Sequence, residues 1–165
     1  MIVYLIGPPG SGKSTVGRLV AARLGIPFVD LDEEIVREDG RDIARIFAED
    51  GEERFRALEA KKLAEVAGAD PAVVACGGGI VLEPANRVTL RATGAVVYLH
   101  APIEVLRQRV PPASDRPLIR REGDLERLLA EREPLYREFA AHVVDATGPP
   151  EEVAARVEEE LRWSS

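Results

Sequence analysis

Eight consecutive residues, Gly7-Pro8-Pro9-Gly10-Ser11-Gly12-Lys13-Ser14, carry the strongest chemical signal in the chain. They fit the pattern G-x-x-x-x-G-K-S, and they stand between an apolar run and a stretch with helical spacing. Glycines let successive backbone N–H groups turn inward and form an anion nest. The N-terminus of the following helix adds a partial positive charge beneath bound phosphates. Lys13 then reaches the β- and γ-phosphates of a nucleoside triphosphate, and the Ser14 hydroxyl reaches a divalent metal, expected to be Mg²⁺. The expected nucleotide-contacting set is Gly10, Ser11, Gly12, Lys13, Ser14 and Thr15. A chance glycine-rich turn rarely combines strand, loop and helix in this register. The motif identifies a phosphate site and leaves the acceptor open.

Many proteins with such a loop place a second acid at the end of a neighbouring strand to help hold the metal. Ala72–Cys76 runs into Gly77-Gly78-Gly79 and Ala95–His100 also ends without an acid, whereas Pro27–Asp30 ends in Asp30-Leu31-Asp32. Asp30 is therefore the expected metal acid. If the extended geometry persists through Leu31, both carboxylates lie on one side. One then serves the metal and the other faces a substrate hydroxyl. The competing expectation is that one of the pair only caps a helix. Asp32 suits that role because it precedes Glu33, Glu34 and an apolar run.

These residues need a scaffold, and short apolar runs alternating with amphipathic stretches predict βαβ units around a parallel sheet. The expected strands are Ile2–Ile6, Pro27–Asp30, Ala72–Cys76, Ala95–His100 and His142–Asp145. Helices are expected over Lys13–Leu24, over 32–68 with breaks near Gly40 and Gly51, and over 84–92, 103–110, 123–141 and 150–162. Asp42 is a candidate cap for the middle piece of the second region. The fold class is α/β: a three-layer αβα sandwich with a five-stranded parallel sheet in one domain of 165 residues. Residues 111–123, rich in proline and arginine and without periodicity, read as a mobile lid over a charged ligand rather than a plain connection.

The net charge of −7 argues against nucleic acid as a main partner. Only three of the 22 basic residues are lysines (Lys13, Lys61 and Lys62). Codon usage explains such a bias, and a few arginine forks clamping carboxylate and phosphate are compatible with it. The single cysteine, Cys76, allows no intrachain disulfide and reads as a small buried residue. His100 and His142 have no partner pattern and read as structural. No signal segment or membrane-length apolar run is evident, so the expectation is a cytoplasmic monomer with no membrane partner.

The chain resembles the shikimate kinase family. The resemblance rests on GPPGSGKST at 7–15, DLD at 30–32, IFAEDGEERFRALE at 46–59, GGGIV at 77–81, RPL at 116–118 and EREPLYR at 131–137. It implies transfer of the ATP γ-phosphoryl group to the 3-hydroxyl of shikimate, with Mg²⁺. It also implies roles: Asp32 binds the accepting hydroxyl and serves as its base, and Arg56 and Arg132 bind the shikimate carboxylate. Glu59 orients Arg56, and Gly77, Gly78 and Gly79 line the substrate pocket. Arg116 closes onto the phosphates, Arg109 stacks near the adenine with Ala146–Pro150, and Asp30 holds the metal through water. The helical region 32–62 becomes the substrate-binding part. Val110-Pro111-Pro112 departs from the family pattern and suggests a stiffer lid hinge. Other readings are a gluconate or nucleoside monophosphate kinase, or a non-catalytic nucleotide-binding protein. Taken alone, Arg56 and Arg132 could also be surface ion-pair residues.

Overall fold

The computed structural model describes residues 1–110, 117–119 and 121–163. Five strands form one wholly parallel sheet: β1 (Ile2–Ile6), β2 (Phe28–Asp30), β3 (Val73–Ala75), β4 (Gly94–His100) and β5 (His142–Asp145), in the order β2-β3-β1-β4-β5. Among the described residues, eight α-helices connect and cover them: α1 (Lys13–Leu24), α2 (Leu31–Asp39), α3 (Ile43–Asp50), α4 (Glu52–Ala67), α5 (Pro84–Thr93), α6 (Ile103–Arg109), α7 (Asp124–Phe139) and α8 (Pro150–Arg162). The five strands and the breaks at Gly40 and Gly51 agree with the sequence reading.

Alternation along the buried strands divides the core into two layers. Val3 and Leu5 of β1 face a cluster with Val16, Val20, Val153 and Val157 from α1 and α8. Ile2, Tyr4 and Ile6 face the opposite cluster with Leu63, Leu90 and Tyr136 from α4, α5 and α7. A third, smaller cluster of Ile35, Ile46 and Phe55 holds α2, α3 and α4 together beside the sheet. This arrangement is the expected αβα sandwich carrying a helical annex.

Two local differences from the sequence reading have physical causes. First, the extended geometry stops at Asp30: Leu31 is already helical, and Asp30 caps α2 by accepting from the N–H groups of Asp32 (3.0 Å) and Glu33 (3.2 Å). The cap is therefore Asp30 and not Asp32, because Oδ1 of Asp30 reaches the orphan donors of the first turn. Second, the triple-glycine segment continues into a short 3₁₀ turn, Ile80–Leu82, whose Ile80 and Val81 are buried. As expected over 123–141, α7 runs through Pro134 without a break. The proline has no N–H, so the Ala130 carbonyl one turn earlier loses its intrahelical partner. Asp42 caps α3 as expected, accepting from the Arg45 N–H at 2.7 Å.

Candidate active site

The functional residues collect at the carboxyl ends of β1, β2 and β3, where open parallel sheets bind ligands. The Gly7–Ser14 loop leaves β1, Asp30 closes β2, and Cys76-Gly77-Gly78-Gly79 follow β3. Three adjoining hollows run along this edge. The central one, about 430 Å³, is lined by Lys13, Ser14, Asp30, Asp32, Gly78 and Arg109 among others. On one side it shares Gly12, Thr15 and Arg109 with a recess of about 290 Å³ that also touches Ser11, Ala146 and Gly148. On the other side it shares Asp32, Gly77 and Gly78 with a small cavity of about 110 Å³ containing Arg56, Glu59, Gly79 and Arg132.

Backbone shapes the phosphate end. Gly12 stands at φ 94° and ψ 18° directly before α1, a left-handed conformation that costs a residue with a Cβ. Gly10, at φ 85°, leaves room for Val110: a Cβ there would lie 2.7 Å from Val110 Cγ2. The valine that departs from the family pattern thus packs on the phosphate loop. Lys13 Nζ donates to the carbonyls of Gly7 (2.7 Å) and Pro8 (3.0 Å), lying over the loop. Arg109 bridges the loop and the far recess, donating to Gly10 O (3.1 Å) and Ala146 O (3.0 Å). This puts Arg109 beside Ala146 and Gly148.

Ser14 Oγ donates to Asp30 Oδ2 at 2.5 Å, so the two expected metal ligands touch. Asp30 therefore has one oxygen on the phosphate site and the other on the first turn of α2, the helix that carries Asp32. Among the described residues no group of three or more His, Cys, Asp or Glu side chains could hold a metal by itself. The Ser14–Asp30 pair instead suits Mg²⁺, which takes few protein ligands and fills its shell with water and phosphate oxygens.

Side chains shape the acceptor end. Arg56 and Glu59 leave α4 one turn apart, with Arg56 Nη1 donating to Glu59 Oε1 at 3.0 Å. The helix-face pair of Arg56 with Glu52 also forms, at 3.3 Å, yet Arg56 still lines the cavity. Arg132 on α7 is only 5% exposed, which excludes a solvated surface pair. Its Nε has no hydrogen-bond partner among the described residues. Each glycine of the triple turn lies against one of these charges. A Cβ on Gly77 would sit 2.9 Å from Glu59 Oε2 and 3.0 Å from Asp32 Oδ1, one on Gly78 3.3 Å from Arg132 Nη1, and one on Gly79 2.3 Å from Arg56 Nη1. The run of glycines is what lets two carboxylates and two guanidiniums converge there.

Burial lifts the Glu59 carboxyl from 4.5 to about 7; the Arg56 guanidinium opposes this and Asp32 adds to it. Burial also raises the Cys76 thiol, with Glu59 adding to the effect, so the sulfur stays protonated and unreactive. The expected set thus falls into two groups: Gly10, Lys13, Ser14, Thr15, Asp30, Asp32 and Arg109 around the central hollow, and Arg56, Gly79 and Arg132 around the small cavity. Ser11 borders the far recess. Arg116 and most of the lid expected over 111–123 lie outside the described residues, though Pro117, Leu118 and Ile119 line the acceptor cavity. Sequence reasoning assigned no role to Tyr136, whose hydroxyl donates to Gly78 O at 2.6 Å. The available signal was its place one turn beyond Arg132.

Residues 9–162 match the family model described as shikimate kinase. The chain belongs to the shikimate kinase family. It is 48% identical over 164 residues to the shikimate kinase of Halorhodospira halophila, covering 97% of this chain and 93% of that protein. A solved structure of shikimate kinase from Acinetobacter baumannii in complex with shikimate superposes with a TM-score of 0.95 at 38% identity, covering 99% of this chain and 94% of that one. Shikimate kinase from Aquifex aeolicus superposes with a TM-score of 0.89 at 35% identity, covering 99% and 98%. The sequence resemblance to shikimate kinases therefore extends to the fold over nearly the whole chain. No described helix is long and apolar enough to cross a membrane.

Proposed function

We propose that this chain transfers the γ-phosphoryl group of ATP to the 3-hydroxyl of shikimate. The observation that carries this reading is the joined pair of hollows: Asp32, Gly77 and Gly78 border both the phosphate site and the cavity holding Arg56 and Arg132. A compact polyol acid needs arginine forks at one end and a hydroxyl acceptor at the other, and this pair supplies both. Arg56 and Arg132 bind the carboxylate. Asp32 accepts the proton of the reacting hydroxyl while its oxygen bonds to the γ-phosphorus and the bond to the ADP leaving oxygen breaks. Lys13, together with Arg116 from the lid, neutralises the charge on the phosphates. Phosphoryl transfer asks the protein mainly for this positioning and neutralisation.

Ser14 and Asp30 are the residues that would hold Mg²⁺, which supplies charge neutralisation at the phosphate oxygens. Gly10, Ser11, Gly12 and Thr15 contact the nucleotide, and Arg109 lies on its adenine side. The helices over 32–62 act as the substrate-binding part of a single kinase domain, and segment 111–123 acts as its lid, excluding water that would otherwise hydrolyse ATP. The protein works as a cytoplasmic monomer without nucleic-acid or membrane partners. Product analysis tests the reading. Incubation with ATP, Mg²⁺ and shikimate is expected to yield ADP and one phosphate ester on the C3 oxygen, read by ³¹P NMR. An ester on another hydroxyl, or none, would contradict it.

A further inference from the structure

Tyr136 has no part in the roles above, yet it is among the largest fully buried side chains. It is fully buried on α7, four residues beyond Arg132, so the two side chains leave the same helix face. Its ring lies 5.1 Å from that of Tyr98, at 32°. The Tyr98 hydroxyl bonds to Glu133, and Glu133 accepts from Arg137 Nε at 2.6 Å. The Tyr136 hydroxyl itself donates to the Gly78 carbonyl at 2.6 Å. Burial raises this phenol to about 12 against a smaller opposing pull from Arg132, so it remains a donor at neutral pH.

The bond matters because of what it aims. Peptide bonds among the described residues are trans, so the Gly78 carbonyl and the Gly79 N–H lie in one plane and point to its opposite edges. Gly78 and Gly79 border the acceptor cavity, and Tyr136 does not. Holding the carbonyl on Tyr136 leaves the N–H edge of the same peptide facing away from that hydroxyl. Among the described residues neither the Gly78 nor the Gly79 N–H has a protein acceptor. Three glycines in a row have no steric preference that would keep such a peptide from flipping.

We propose that Tyr136 is a positioning residue that locks the Gly78–Gly79 peptide with its donor edge facing the acceptor cavity. It also sets that edge in register with Arg132. The inference rests on the shikimate reading above, since the donor edge and Arg132 then meet the same anionic polyol.

Tyr136→Phe keeps the ring and its stack on Tyr98 and removes only the hydroxyl. The expected result is a rise of about tenfold in the shikimate KM and in its Kd by calorimetry, with the ATP KM unchanged. Tyr98→Phe, which leaves the Gly78 bond in place, should leave the shikimate KM within about twofold. A purely structural role for Tyr136 would move both substrates' KM together. That outcome, or an unchanged shikimate KM in a folded variant, overturns the proposal. If Tyr136→Phe does not fold, amide exchange on the wild-type enzyme decides. The Gly79 N–H should gain protection when shikimate is added, and unchanged protection overturns the proposal. A wild-type enzyme that does not turn over shikimate instead sinks the functional reading itself, which separates the two failures.

Discussion

The phosphate end of the cleft is built from backbone in one run of residues, 7–14, whereas the acceptor end is built from side chains on α2, α4, α7 and the turn after β3. Backbone N–H groups and a helix terminus grip any triphosphate, so that end carries little information about the acceptor. Buried guanidiniums and carboxylates are costly unless they meet partners of matching shape and charge, so the other end selects. The two ends meet at Asp30, which touches Ser14 with one oxygen and caps the helix of Asp32 with the other. Chemistry common to many kinases and chemistry particular to one family are therefore separable along the cleft.

The sharpest break in this comparison is at the residue between the ends. Asp32→Asn is expected to lower kcat by about 10³-fold while leaving the ATP Kd near wild type, as for loss of a general base. Turnover within a few-fold of wild type would remove Asp32 from the chemistry. A smaller effect should sort by end when single glycines are replaced. Gly10→Ala meets Val110 and a left-handed backbone and should raise the ATP KM by at least about tenfold. Gly79→Ala drives a Cβ to 2.3 Å from the Arg56 guanidinium and should raise the shikimate KM by about tenfold, with the ATP KM unchanged. Equal effects of either variant on both substrates would show that the ends are not separable.

A further effect concerns stability rather than turnover. The Glu59 carboxyl sits at about 7 in the folded chain against an ordinary 4.5. The folded state thus keeps a proton that the unfolded state loses between those values. Its contribution is most favourable below the lower value and is lost as pH rises through the upper one, by up to about 3 kcal/mol. Glu59→Gln should flatten that fall in denaturant melts between about pH 5 and 8. A variant curve running parallel to the wild type would show that Glu59 does not carry it.

The same contrast explains what could be read before the structure. The phosphate loop was legible because its residues are contiguous and its flanking strand and helix follow from simple periodicity. β1, β3 and β4 were legible because short apolar runs between turn signals suit strands buried on both faces. At the acceptor end, residue types alone left Arg56 and Arg132 as ordinary surface arginines, and only the family resemblance marked them. The burial of Arg132 and the approach of Arg56 to Gly79 depend on how α4 and α7 pack, which no local pattern states. Asp30 was identified as an acid beside the phosphates, whereas the competing expectation of a helix cap was weighed on Asp32 and the cap is Asp30. Strand and cap geometries compete over a single residue there, and the donors of the first turn won. Tyr136 was read as part of a motif and nothing more, because a buried helical tyrosine looks like core until its carbonyl partner is known.

The most direct test of a cleft that joins a triphosphate grip to a polyol-acid pocket is ADP release with ATP and Mg²⁺ in the presence of shikimate, gluconate, AMP or no acceptor. The account predicts rapid release with shikimate and release slower by orders of magnitude in the other three cases. ATP turnover indifferent to shikimate, or faster with gluconate or AMP, would contradict it.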